Sequence, residues 1–114
     1  MRSRCTTYEC RIYLGGRRGY TGPAIEEAEL LKLLADYEHP YKQGLRVTRT
    51  VFLGKHGSEP GWEIGTIRMP AYGDIQSTDA VLRVMSDLAE FLLRELGQER
   101  VYMVCPDETF LFSR

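Results

Sequence analysis

Residues 77–105 read STDAVLRVMSDLAEFLLRELGQERVYMVC, and this stretch decides how the chain folds. Val81, Met85, Leu88, Leu92 and Leu96 recur at helical spacing and form one apolar stripe, broadened by Leu82, Ala89 and Leu93. Ser77 or Thr78 caps the start, Asp79 sits in the positive first turn, and Gly97 supplies the left-handed stop. Val101 to Cys105 then reads as a strand. Phe110-Leu111-Phe112 either continues it or adds to it after the Pro106-Asp107-Glu108 turn.

Working outward, a second helix is expected over roughly residues 25–37. Leu30, Leu33, Leu34 and Tyr37 share a stripe, with Leu31 at its margin and Pro23 in the first turn. Its end is set by His39-Pro40, because a residue before proline avoids the helical region. Tyr8 to Leu14 alternates, with Tyr8, Cys10, Ile12 and Leu14 on one face, and Gly15-Gly16 ends it. Leu45, Val47, Val51 and Leu53 share one side of the next strand, opposite Arg46, Thr48, Thr50 and Phe52. Arg49 breaks the apolar row and marks an edge or an oligomer contact. Residues 54–61 are dense in turn formers and predict a hairpin connection. Trp62 to Met69 returns as a strand, with a bulge suggested at Gly65 by the phase difference between Ile64 and Ile67.

The order is strand, helix, strand, strand, helix, strand. Its simplest closure is a single α+β domain over residues 1–114, a ferredoxin-like βαββαβ fold with four antiparallel strands and two helices on one face. Right-handed crossovers give the strand order fourth, first, third, second. Tyr13, Phe52 and Tyr102 then project from the uncovered face, an apolar exposure that predicts a homo-oligomer, a trimer or dimer.

This element order resembles the small ferredoxin-fold families of PII-like and CutA-like proteins, on the strand at Tyr8 to Leu14, the hairpin with its tip at Lys55 to Gly61, and the strand at Val101 to Cys105. The resemblance implies an oligomeric ligand-binding or regulatory protein. The tip is short beside the long regulatory loop typical of PII proteins, and small cofactor-free monooxygenases share the same order.

Composition excludes several classes. Fifteen basic and 16 acidic side chains leave a net charge of -1, so no whole-molecule attraction to nucleic acid or anionic membranes is expected. No apolar run approaches a membrane span, and the first residues carry no apolar signal segment, so a cytoplasmic protein is expected. Cys5, Cys10 and Cys105 have neither disulfide-scaffold nor zinc spacing. Buried reduced thiols are the expectation, with no metal and no cofactor.

The candidate site is the loop from Leu14 to Pro23. Glycines there let backbone N–H groups approach a ligand, and a following helix N-terminus favours an anion. The expected topology gathers Arg17, Arg18, Gly19, Lys55, His56 and Arg100 at one end of the sheet, with Tyr20 and Trp62 as stacking surfaces. The leading expectation is a binder of an anionic small molecule, such as a nucleotide. The plain alternative is a surface turn whose cations are solvated. A second function class is a small cofactor-independent enzyme on the open face of a dimer, with His56, Tyr13 or Tyr72 as acid or base. A third is an interaction factor without a small ligand, for example a phage-encoded one. His39 is expected to be structural, and Glu59, Asp107 and Glu108 solvated. Nucleic acid ranks last, because no strand face interleaves aromatic and basic side chains.

Overall fold

The computed structural model describes residues 1–2, 8–39, 44–55, 57–67 and 77–114. In chain order the elements are β1 (Arg11–Gly15), α1 (Glu27–Asp36), β2 (Gly44–Gly54), β3 (Gly57–Ile67), α2 (Thr78–Glu95), β4 (Arg100–Val104) and β5 (Thr109–Ser113). They build one five-stranded sheet in the order β2-β3-β1-β4-β5, with every neighbouring pair antiparallel. The expected four-stranded ferredoxin-like sheet is therefore wrong. Val101 pairs with Phe112 and Met103 with Phe110, so the C-terminal apolar run forms a fifth strand beside β4. Cys105 closes the turn between these strands, its N–H donating to the Glu108 carbonyl at 2.8 Å.

α2 forms as its sequence dictates. Ser77 Oγ accepts from the Ala80 N–H at 3.1 Å, and Gly97 ends the helix at φ 59°. Val81, Met85, Leu88, Leu92 and Leu96 are all buried. Each such side chain stabilises the fold by roughly 1.5–3 kcal/mol relative to exposure. α1 is shorter than its apolar stripe suggests. It begins at Glu27, with Glu26 as N-cap and no side-chain capping bond, so Pro23 lies before the helix and not in its first turn. Leu30 and Leu34 bring α1 into the same core as α2, over Ile12, Leu14, Trp62, Ile64, Val101 and Met103. Alternation leaves Arg11, Tyr13, Glu63, Tyr102 and Val104 on the opposite, helix-free face.

β2 and β3 pair without interruption from Gly44 opposite Ile67 to Gly54 opposite Gly57, so the expected bulge at Gly65 is absent. Gly65 answers a different need. A Cβ there would stand 2.5 Å from Arg46 Nη2, so the residue leaves room for a guanidinium lying across the open face. β2 is an edge strand, and Arg49 covers the Trp62 ring with its guanidinium 5.2 Å from the ring centroid. At the other end of α1, His39 Nε2 lies 2.8 Å from Asp87 Oδ2 of α2, and Tyr37 packs on Phe91 at 4.6 Å between ring centroids. The expectation of a structural His39 agrees with that contact.

Candidate functional site

At the end of the sheet where β1 stops and β4 starts, the open face becomes concave. Strand alternation puts Tyr13, Phe52 and Tyr102 on that face, and Tyr13 meets Phe52 edge to face at 5.9 Å. A pocket of about 450 Å³ is lined there by these three rings, Leu14, Gly15, Gly16, Arg17, Gly19, Tyr20, Glu59, Pro60, Gln98, Glu99 and Arg100. Such a volume lies within the usual range for small-molecule sites.

The loop after β1 is held from three sides. Gly16 N–H donates to the Pro60 carbonyl of β3 at 3.1 Å, and Gly19 N–H donates to the Gly97 carbonyl after α2 at 2.7 Å. Within the loop, Arg18 N–H donates to Pro23 O at 3.0 Å, Gly22 N–H to Arg18 O at 2.9 Å and Ile25 N–H to Gly16 O at 2.7 Å. The glycine-loop N–H groups expected to approach a ligand are thus engaged by protein carbonyls. Gln98 completes the arrangement. Its Oε1 accepts from Gly15 N–H at 3.0 Å, and its Nε2 donates to the Arg17 carbonyl at 2.9 Å.

The charged wall has both signs. Arg100 is exposed at the start of β4, and the nearby side chains of Tyr102 and then Tyr20 raise its pKa above the ordinary value. Arg17 holds the Gly22 carbonyl at 3.2 Å. Glu59 and Glu99 bring carboxylates to the same rim. The pocket therefore offers aromatic faces, guanidinium donors and carboxylate acceptors within one cleft, a mixture suited to an aromatic ligand carrying opposite charges or a diol.

Of the residues singled out in the sequence, Arg17, Gly19, Tyr20 and Arg100 line this pocket together. Arg18 does not. Its guanidinium binds the Glu29 carboxylate of α1 and donates to the Glu95 carbonyl of α2 at 2.7 Å. Trp62 is 3% exposed and belongs to the helix-side core, so it offers no stacking surface to the cleft. Lys55 sits in the turn after Gly54. The pairs Val51–Pro60, Phe52–Glu59, Leu53–Ser58 and Gly54–Gly57 all lie beyond Gly61, where β1 ends, and they carry Lys55 roughly 15 Å past the strand end. His56, Tyr72 and Cys5 lie outside the described residues.

Sequence reasoning missed Gln98, Glu99, Pro60 and the role of Glu59. Glu59 and Pro60 fell inside what looked like a turn, whereas strand pairing continues through both to Gly57. Gln98 carried a weak signal, as a polar residue directly after a helix-ending glycine. Its partners are 81 and 83 residues away in sequence, so nothing local reveals its contacts. Among the described residues no group of three or more His, Cys, Asp or Glu side chains is placed to hold a metal ion. No helix among them is long and apolar enough to cross a membrane.

The chain matches no protein-family model and no curated protein. It does match solved structures. A phage SAM lyase in complex with S-methyl-5'-thioadenosine superimposes with a TM-score of 0.69 at 15% identity, covering 100% of this chain and 96% of that one. A phage SAM lyase in the apo state gives 0.70 at 14% identity, with the same coverage of both chains. The fold is thus the α+β arrangement of those structures, with five antiparallel strands, in place of the four-stranded ferredoxin-like sheet behind the PII-like and CutA-like resemblance.

Proposed function

We propose that this chain binds an adenosine-type thioether or sulfonium nucleoside in the pocket between Tyr13, Tyr102 and Arg100, and that it is a lyase acting on SAM (S-adenosylmethionine). The observation that carries this reading is the composition of the cleft. Three aromatic rings form its floor, and its rim pairs Arg17 and Arg100 with Glu59 and Glu99. A sulfonium amino-acid nucleoside has matching needs. Its adenine stacks on an aromatic face, its carboxylate takes a guanidinium, and its sulfonium is attracted to carboxylates and ring faces. The shared fold with a lyase bound to S-methyl-5'-thioadenosine supports the same assignment.

The reaction class follows from the chemistry of such a substrate. Breaking a carbon–sulfur bond of the sulfonium leaves the electron pair on sulfur and turns it into a neutral thioether. The departing carbon fragment either loses a proton to a base or is closed by its own carboxylate. A cleft that holds the carboxylate and sets the carbon chain against the sulfonium contributes mainly through orientation. This reading replaces a regulatory role with turnover.

The test is direct. SAM incubated with the purified protein is followed by liquid chromatography and mass spectrometry, and S-methyl-5'-thioadenosine binding is measured by calorimetry. Release of the thioether nucleoside, together with saturable binding that Arg100→Ala weakens about tenfold, is the expected result. Binding without loss of SAM would remove the lyase and leave a nucleoside binder. No binding and no turnover would remove both.

A further inference from the structure

Cys10 and Cys105 lie outside the pocket, at the other end of the same two strands. Cys10 immediately precedes β1 and Cys105 immediately follows β4. The register that sets Arg11 opposite Val104 also sets the two cysteines opposite each other. Their backbones point apart. Cys10 donates its N–H to Thr66 Oγ1 at 3.4 Å and accepts from Thr66 N–H at 3.3 Å, both on the β3 side. Cys105 donates to Glu108 at 2.8 Å, on the β5 side. Opposed residues at such a non-hydrogen-bonded antiparallel position have Cα atoms about 4.5 Å apart, at the short end of the 4.4–6.8 Å range that a disulfide spans. The Sγ atoms are already 3.0 Å apart, and both thiols are free.

We propose that Cys10 and Cys105 form a redox-active dithiol that a low-molecular-weight disulfide oxidises to an intramolecular cross-strand disulfide. The two sites differ in access. Cys10 is 0% exposed and Cys105 is 7% exposed, so the external reagent enters at Cys105. Burial, and then the hydrogen bond to Cys105, push the Cys10 thiol well above its ordinary range, which makes it the second and slower reactant. In the first step the Cys105 thiolate attacks one sulfur of the reagent, and the other half leaves as a thiolate that takes up the proton Cys105 has lost. In the second, Cys10 loses its proton and attacks Cys105 Sγ, expelling the remaining half as a second thiol. Two protein thiols lose two electrons and two protons, and one external disulfide leaves as two thiols.

The experiment uses the full chain carrying Cys5→Ser, so that these are the only two thiols. The protein is equilibrated across ratios of oxidised to reduced glutathione, quenched in acid, unfolded, alkylated and weighed. The expected product is a monomer short of two hydrogens, with no alkyl group at either position and a peptide joining Cys10 to Cys105. Dithiothreitol returns both thiols. In Cys10→Ala the same treatment leaves one glutathione on Cys105, because the resolving thiol is gone. Full alkylation of both cysteines at every glutathione ratio overturns the proposal, as does a disulfide found only between chains.

Discussion

Replacing Gln98 by leucine tests whether the pocket wall is fastened as described. Gln98 is 4% exposed and stands between α2 and β4, where its side chain ties this connection to the end of β1 and the loop after it. It accepts from Gly15 N–H at 3.0 Å, donates to Arg17 O at 2.9 Å, and reaches Leu96 O at 3.5 Å, the last too long to count for much. Leucine keeps the apolar bulk and removes every polar atom. Two sound hydrogen bonds are worth about 1 kcal/mol each, and the orphaned Gly15 N–H adds a desolvation cost. Gly15 is only half-buried and Arg17 is exposed, so water recovers part of that cost. The sum is about 2–3 kcal/mol, equivalent to a thermal midpoint lower by roughly 8–12 °C for a domain of this size. Circular dichroism against temperature and urea reads the stability, and calorimetry with S-methyl-5'-thioadenosine reads the site. Affinity is expected to fall about tenfold, because residues 15–17 form one wall of the cleft. Gln98→Glu should fall between, since it keeps the acceptor for Gly15 but sets a carboxylate against the Arg17 carbonyl. A leucine variant within about 0.5 kcal/mol of the parent, with unchanged affinity, would refute the reasoning.

Arg18→Ala should leave nucleoside affinity within about twofold and cost under about 1 kcal/mol of stability, because its guanidinium serves Glu29 and the Glu95 carbonyl on a partly exposed surface. The same calorimetry on Arg18→Ala and Arg100→Ala checks this, and equal losses would contradict the assignment. Alkaline pH should destabilise the protein. Burial raises the Cys10 thiol above its ordinary value of 9.0, and burial with the nearby thiols raises the Tyr8 hydroxyl above 10.0. The unfolded chain releases these protons first, so the contribution to stability is complete below about pH 9 and is lost as pH rises above it. Urea midpoints from pH 8 to 11 should fall less steeply in Cys10→Ala and Tyr8→Phe than in the parent protein.

The helices and most strands were legible because their signals are local. The Val81-to-Leu96 stripe, the Ser77 cap and the Gly97 stop all act within one or two turns. The strand count was not legible, since a three-residue run such as Phe110-Leu111-Phe112 has too little period to separate a strand from a tail. Only its pairing with Val101 and Met103 decides. The aromatic floor of the cleft was readable from alternation, because Tyr13, Phe52 and Tyr102 each stand between two apolar neighbours, buried beside Tyr13 and Tyr102 and exposed beside Phe52. The same alternation placed Trp62 with Ile64 and Thr66 on the inward face, so its misassignment as a stacking surface overlooked a signal already present. Arg18 and Lys55 failed for a different reason. Arg18 is claimed by Glu29, which comes from another element, and Lys55 is displaced by a hairpin longer than its turn-like sequence suggests.

Three aromatic side chains on a sheet face make a flat surface, and flatness does not make a site. Here the relief comes from two close approaches. Gly61 carries no Cβ, and one would strike the Phe52 ring and stand 2.6 Å from the Leu14 carbonyl, so Phe52 settles over it and toward Tyr13. Gly16 allows the following loop to press against Pro60, whose carbonyl would be 2.8 Å from a Cβ. From there the loop rises as a wall, held by Gly19 to Gly97 and by Gln98. The bonds that make it rigid are the ones that engage its N–H groups. A loop that looked like a backbone cradle for an anion is therefore held as a scaffold, and in the proposed binding mode recognition falls to the side chains it carries and faces, chiefly Arg17, Tyr20 and Arg100. This predicts selectivity through stacking and guanidinium geometry, and a bare phosphate or sulfate should bind far more weakly than a nucleoside.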